Sequence, residues 1–291
     1  MTYQRIQEIE SEVGDIIRQV LADIATRSFE NYVLLLANAD CYYPNVEDAK
    51  PQYFIETKTD YHLEKTRMRF MEEYLNAYVG MVRDNIYAAD DVKEFSLNIQ
   101  LMVYSQLWES HQFLRVLRRM ASMLSNKPYE WNISFTQKNN KGEIVDIPKA
   151  QIIQDTILTP LQKNHPALYK LISYCYNRDL RNDFAHATYY FDWDSGEIVS
   201  VKLGAIEGNR RIPLFDWEEQ FVYSMMLSYQ LFVQIREAKN RFRKQFPECE
   251  YIEVPNPNYD KKKGNAKRVI IYPSEEREDR EQRVIFFWRT I

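Results

Sequence analysis

The segment CYNRDLRNDFAHATYYFD, residues 175–192, marks the place where helical spacing gives way to the alternation of a β-strand. It places Arg178, Arg181 and His186 among apolar and aromatic residues, and the histidine follows Arg181 by five positions. The chain has only four histidines, so one in this setting calls for a chemical explanation.

One helix is predicted from about Asn164 to Ala187, and it ends inside this segment. Pro166 lies in its first turn, where a missing N–H costs little. At about 100° per residue, one stripe of the helix is apolar and consists of Leu168, Leu171, Ile172 and Cys175. The same stripe continues into Arg178, Asp179, Asn182 and His186, with Arg181 on its flank. A packed face therefore becomes charged, and unpaired charge is costly to bury.

Two interpretations of this charged face are open. In the first, the helix end is salt-bridged: Arg178 pairs with Asp179 or Asp183, and His186 complements the dipole at the helix C-terminus. In the second, the polar residues line a cleft or a subunit interface that binds an anion.

The residue types favour phosphate chemistry. Arginine is a permanent cation shaped to hold phosphate oxygens, and histidine exchanges protons near neutral pH. Together they can cleave RNA without a metal: His186 takes the proton of a ribose 2′-OH, and Arg181 stabilises the charge that grows on the phosphorane. The products are a 2′,3′-cyclic phosphate and a 5′-OH end. The leaving oxygen also needs an acid, which a second histidine across the axis of a symmetric dimer can supply.

The run LRNDFAHATY resembles the R-x4-H motif of the HEPN superfamily, with Arg181, Asn182, Ala185 and His186 at the matching positions. The motif lies at a helix end, after long helices and before a hairpin and a last long helix, and the resemblance covers about residues 92–247. It implies a helical-bundle dimer in which two motifs form one composite endoribonuclease site. Such proteins serve as toxins, antiviral defence effectors or RNA-processing enzymes, and some members are non-catalytic binding modules.

The resemblance implies that Arg181, His186 and Asn182 are catalytic, with Asn182 orienting or supporting the other two. We expect Arg178 to contact the RNA backbone or to pair with Asp179. Members that pair with a nucleotidyltransferase antitoxin carry a tyrosine two residues after the histidine. This sequence has Thr188 there, so that pairing is not expected.

The predicted fold class is mainly α: a HEPN-like helical bundle with long N-terminal helices, two peripheral β-hairpins and a β-rich C-terminal tail. The hairpins are predicted around residues 139–142 and 194–196, and the tail holds two strand-like runs, KRVIIYP and QRVIFFW. We expect an N-terminal helical extension over residues 1–91, a HEPN-like domain with hairpin insertions over 92–247, and a tail over 248–291 packed on the same body. Apolar spacing predicts further helices over about 3–37, 61–88, 92–124, 150–163 and 216–246. Residues 40–60 are expected to form a packed, aromatic-rich connector.

Composition excludes several other classes of protein. The chain has 7 glycines among 291 residues and no G-x-G-x-x-G or G-x-x-x-x-G-K run, so we expect no cofactor. Its three cysteines, Cys41, Cys175 and Cys249, lack zinc-ligand spacing, and no acidic cluster has the pattern of a metal site. We therefore expect no metal.

The chain is expected to be soluble and cytoplasmic, with no membrane partner. Its N-terminus, MTYQRIQEIESEVG, alternates charged and apolar residues, unlike a signal peptide, and no run approaches the length of a membrane span. The net charge of −4 does not indicate wholesale nucleic-acid binding. The basic loop Lys261–Lys263 can touch phosphates, although loops of this kind are usually just solvated.

The leading hypothesis is thus a metal-independent endoribonuclease that acts as a homodimer on RNA. The alternative is a non-catalytic HEPN-like interaction or scaffold module. There the polar patch is a dimer or partner interface, and the long flanking helices bind another protein.

Overall fold

A computed structural model of the chain describes residues 1–42, 52–55, 70, 73–84, 86, 90–201, 209–245, 251–255, 267–271 and 288–289. The molecule is mainly helical, with small antiparallel sheets, as the sequence predicts. Whether this helical body is a HEPN bundle stays a prediction, and so do the domain boundaries after residues 91 and 247.

The N-terminal helix is shorter than the apolar spacing predicts. Helix α1 (Tyr3–Arg27) ends at Ser28, whose backbone is extended at φ −158° and ψ 110°. The Ser28 hydroxyl accepts the amide hydrogen of Asn31 and so begins α2 (Phe29–Leu36). The prediction of one helix to residue 37 is wrong because the serine cap ends one helix and starts another.

The predicted connector contains a pair of strands. Strand β1 (Ala39–Tyr42) pairs antiparallel with β2 (Gln52–Ile55), and the rest of residues 40–60 lies outside the described residues. Helix α3 covers residues 73–83, within the helix predicted for 61–88.

The helix predicted over 92–124 is also two helices, α4 (Asp90–Glu109) and α5 (His111–Leu124). Ser110 separates them: its ψ is 114°, and its hydroxyl accepts the amide hydrogen of Phe113. This break makes Glu109 the last residue of α4.

The first predicted hairpin is confirmed as β3 (Thr136–Lys138) and β4 (Ile144–Asp146). A helical segment follows in three parts: α6 (Lys149–Gln151), a π-helical stretch (Ile152–Leu158) and α7 (Thr159–Asn164). The Thr159 hydroxyl donates to the Gln154 carbonyl, at 2.9 Å, along the widened turn.

The helix that carries the arginine–histidine motif is divided as well. Helix α8 (Pro166–Cys175) buries the predicted stripe of Leu168, Leu171, Ile172 and Cys175. The backbone is then extended at Tyr176 and Asn177, and α9 (Arg178–Ala185) begins in a new direction. The predicted continuation of the stripe into Arg178, Asp179, Asn182 and His186 is therefore wrong, because one helical rotation does not span both helices.

The second predicted hairpin is confirmed and gains a third strand. Strands β5 (Tyr189–Asp192), β6 (Glu197–Ser200) and β7 (Arg210–Pro213) form a sheet in that order, with Ile198 opposite both Phe191 and Ile212. Helix α10 (Leu214–Gln245) follows β7 directly.

The tail forms a second three-stranded sheet. Strands β8 (Tyr251–Pro255), β9 (Lys267–Ile271) and β10 (Trp288–Arg289) are antiparallel, with β9 in the centre. The predicted run KRVIIYP contains β9, and the predicted run QRVIFFW ends at Trp288, the first residue of β10. The basic loop Lys261–Lys263 lies outside the described residues.

The core forms where α10 packs against α1, α4 and α8. Trp217 of α10 is fully buried, donates its Nε1–H to Gln100 Oε1 at 3.0 Å, and contacts the Tyr104 ring at a centroid distance of 5.1 Å. This packing holds α4 beside the junction of α8 and α9. None of the helices in the described part of the chain combines the length and apolarity that crossing a membrane requires.

Candidate functional site

The junction between α8 and α9 is fixed by one buried hydroxyl from α4. Tyr104 Oη donates to the Cys175 carbonyl at 2.9 Å and accepts the Asn177 amide hydrogen at 2.6 Å. Burial raises the pKa of Tyr104 well above its ordinary value, so the hydroxyl keeps its proton. The last carbonyl of α8 and the cap of α9 are therefore tied to the same atom.

Asn177 begins α9 and links it to the sheet. Its Oδ1 accepts the amide hydrogen of Leu180 at 3.1 Å, which is a typical N-cap bond, and also a hydrogen from Arg210 Nη1 at 3.2 Å. Arg210 of β7 also donates to Asp179 Oδ2 at 3.0 Å. The predicted pairing of Arg178 with Asp179 is therefore wrong.

Arg178 lies on the exposed side of the first turn of α9. No described residue forms a hydrogen bond or an ion pair with its side chain. Its guanidinium is thus available to a ligand from solvent.

Arg181 is held from two directions. Its Nη2 forms an ion pair with Glu109 Oε1 at the end of α4, and its Nη1 donates to Asn182 Oδ1 at 3.4 Å. The side chain is only 18% exposed, and burial lowers the pKa of Arg181 from its ordinary value. The guanidinium remains a cation, since arginine does not lose its proton in proteins.

His186 closes the helix. Its amide donates to the Asn182 carbonyl at 2.9 Å, and the next two amides, of Ala187 and Thr188, donate to the carbonyls of Phe184 and Asp183. This is the Schellman arrangement, with Ala187 in the left-handed conformation at φ 52°. The imidazole is exposed at the C-terminal end of the helix.

The structure therefore places Arg181 and Asn182 in the middle of one short helix and His186 at its C-cap. Arg181 and Asn182 are in contact, and the backbone of His186 bonds to that of Asn182. Arg178 lies one turn earlier, toward the sheet.

Sequence reasoning missed Glu109. The signal was Ser110, a typical N-cap residue that ends the preceding helix and leaves Glu109 at its terminus. The contact between Glu109 and Arg181 itself depends on how α4 packs on α9.

Aromatic side chains continue from the motif into the sheet. Ring centroids lie 5.8 Å apart for Phe184 and Tyr189, 5.7 Å for Tyr189 and Phe191, and 5.7 Å for Phe191 and Trp193. Tyr189 also donates to Asn98 Oδ1 of α4 at 2.6 Å. This row supports β5 against the body and ends at the exposed Trp193.

Two buried polar atoms beside the junction have no hydrogen-bond partner among the described residues. They are Trp108 Nε1 and Tyr176 Oη, and the two rings lie 5.0 Å apart. Burial raises the pKa of Tyr176 to about 12, with Arg178 lowering it and Asp179 raising it further.

The parts of the chain that the structure describes hold no group of three or more His, Cys, Asp or Glu side chains arranged as metal ligands. Comparison of the chain with protein families, curated proteins and solved structures gives no match.

Replacing Ala187 with glycine should stabilise the protein by about 0.5–1 kcal/mol, because a left-handed backbone strains alanine but not glycine. Chemical denaturation measures the free energy of unfolding. Ala185→Gly is the matched control inside α9 and should lower it by a similar amount. A loss of stability in Ala187→Gly would contradict the left-handed helix end.

Replacing Tyr176 with phenylalanine should leave stability at pH 8 unchanged or raised, because an unpartnered buried hydroxyl is lost. Because folding raises the pKa of Tyr176, the unfolded chain loses the phenolic proton first, near the ordinary pKa of about 10. The free energy of unfolding of wild type therefore falls as the pH rises from about 10 through about 12. Wild type should therefore lose more stability than Tyr176→Phe between these pH values in urea titrations. Tyr169→Phe, on α8, is the control, and an equal loss in wild type and Tyr176→Phe would refute the assignment.

Proposed function

We propose that this protein is a metal-independent endoribonuclease that leaves 2′,3′-cyclic phosphate and 5′-OH ends. The observation that carries the proposal is that Arg181 and Asn182 are in contact in the middle of α9 and that His186 is the C-cap of the same helix. A guanidinium fixed by its neighbours and an exposed imidazole are there supported by one rigid helix.

Each side chain has a role that suits its surroundings. Arg181 binds the scissile phosphate and stabilises the charge of the transition state. His186, exposed at the helix end, transfers a proton to or from the ribose and leaving oxygens. Asn182 orients the guanidinium through its Oδ1.

Arg178 extends this surface toward the sheet. Its side chain has no described partner, so we assign it to the RNA backbone on the approach to the site. The proposal includes a homodimer that acts on RNA in the cytoplasm as a toxin or defence effector; the motif resemblance is the support for this part.

A non-catalytic interaction module is the second candidate, and two observations favour it. The Arg181 guanidinium is already paired with a carboxylate, as in a structural ion pair. In addition, α4 exposes the apolar side chains of Phe95, at 69%, and Met102, at 42%. Exposed apolar residues beside a charged motif are also found at protein–protein interfaces.

Cleavage of a single-stranded RNA in excess EDTA tests the enzyme proposal. Wild type should give fragments whose 5′ ends accept a kinase label without prior phosphatase treatment. His186→Ala and Arg181→Ala should each lower the rate by about 100-fold or more. Arg178→Ala should mainly raise KM, and Arg236→Ala, which removes an exposed arginine of α10, is the control. Full activity in either of the first two variants would disprove the assigned roles.

Size-exclusion chromatography of Arg181→Ala separates the enzyme from the interaction module. An active-site arginine should leave the elution volume of the protein unchanged over a dilution series. An arginine that holds an interface should give later elution at low concentration, and that result would favour the interaction module.

A further inference from the structure

Glu109 is the one carboxylate in contact with the motif arginine in the described part of the chain, and the proposed reaction has not used it. It ends α4, and its side chain is 40% exposed, against 18% for Arg181. Its Oε1 forms the ion pair, and no described residue bonds to Oε2. The carboxylate is thus paired with the guanidinium through Oε1, and its side chain is partly exposed to solvent.

RNA cleavage by the 2′-OH needs two proton transfers, one from the attacking oxygen and one to the leaving oxygen. His186 can perform only one of them in a single turnover. We propose that Glu109 is the second proton-transfer group, acting as general base on the same phosphodiester as Arg181 and His186 of its own chain. This inference rests on the proposed endoribonuclease function and assigns its missing partner.

The step is balanced in atoms and charge. Glu109 accepts the proton of the 2′-OH while the 2′-oxygen forms a bond to phosphorus. The bond from phosphorus to the 5′-oxygen breaks, and protonated His186 gives its proton to that oxygen. Arg181 holds the non-bridging oxygens throughout, and the cycle ends with a neutral carboxyl and a neutral imidazole that exchange protons with water.

The geometry suits this assignment in two respects. The Glu109 carboxylate is in contact with the Arg181 guanidinium, so a phosphate bound to that guanidinium lies beside the carboxylate. The same α4 supplies Tyr104, which pins the start of α9. The distance between carboxylate and guanidinium is therefore set by the fold and does not depend on a flexible loop.

An RNA with a 5′-bridging sulfur at one linkage separates the two roles, because a thiolate leaves without an acid. Glu109→Gln keeps the shape of the side chain and should lower cleavage of normal RNA by about 100-fold or more. His186→Ala should regain most of its lost rate on the sulfur substrate, whereas Glu109→Gln should regain none. Glu94→Gln, an exposed residue of the same helix, is the matched control and should behave as wild type.

Binding distinguishes a base from a residue that only positions Arg181. An RNA with a single 2′-deoxy residue at the cleavage site binds but cannot react, and fluorescence anisotropy reports its affinity. Glu109→Gln should bind it within about twofold of wild type, since its defect lies in proton transfer. A loss of affinity as large as that of Arg181→Ala would show a positioning role and overturn the inference.

Mixing two inactive variants tests whether one chain holds the whole site. Glu109→Gln mixed with His186→Ala should remain inactive. Restored cleavage would mean that the carboxylate and the imidazole come from different copies, and the inference would be wrong.

The results also distinguish a failure of the Glu109 assignment from a failure of the proposed endoribonuclease function. If wild type cleaves no RNA, the endoribonuclease proposal fails. If wild type cleaves and depends on His186 and Arg181, but Glu109→Gln is as active as wild type or more active, only the assignment of Glu109 fails.

Discussion

The hydroxyl of Tyr104 is the contact on which the arrangement of the motif depends. It joins the last carbonyl of α8 to the amide of Asn177, the N-cap of α9, and the Tyr104 ring itself packs on Trp217. A buried hydroxyl with both hydrogen bonds made is stable in this position, whereas a shifted junction would take from the Asn177 amide the acceptor that it has here. The direction of α9, and with it the position of Arg181, follows from that constraint.

Two ion pairs join α9 to neighbouring elements. In the first turn, Asp179 is bound by Arg210 of the sheet, and in the middle of the helix Arg181 is bound by Glu109 of α4. Each pair joins the helix to a different element, so α9 is braced on two sides. Arg178 and His186 form no such pairs in the described structure and face solvent, which makes them the side chains best placed to meet a ligand.

Apolar spacing predicted the helical content and the buried stripe of α8, and turn residues predicted both hairpins, because these features depend on nearby residues. The same spacing failed at Ser28, Ser110 and Asn177. When two consecutive helices pack on one core, their apolar residues keep a similar spacing on both sides of the break, so the spacing does not reveal it. A single capping side chain decides where the break occurs. The motif residues were found because they lie close together in sequence. The pairing of Arg181 with Glu109 was not, because it is formed by helices far apart in the chain.

The distribution of indole rings gives the molecule built-in optical reporters. Trp108 and Trp217 are fully buried around Tyr104, while Trp193 is 40% exposed at the end of the aromatic row that leads away from His186. Indole fluorescence shifts to longer wavelength as the ring becomes hydrated. Emission from Trp108 and Trp217 therefore reports whether the packing around Tyr104 at the α8–α9 junction is intact. Emission from Trp193 reports changes at the surface where the aromatic row ends.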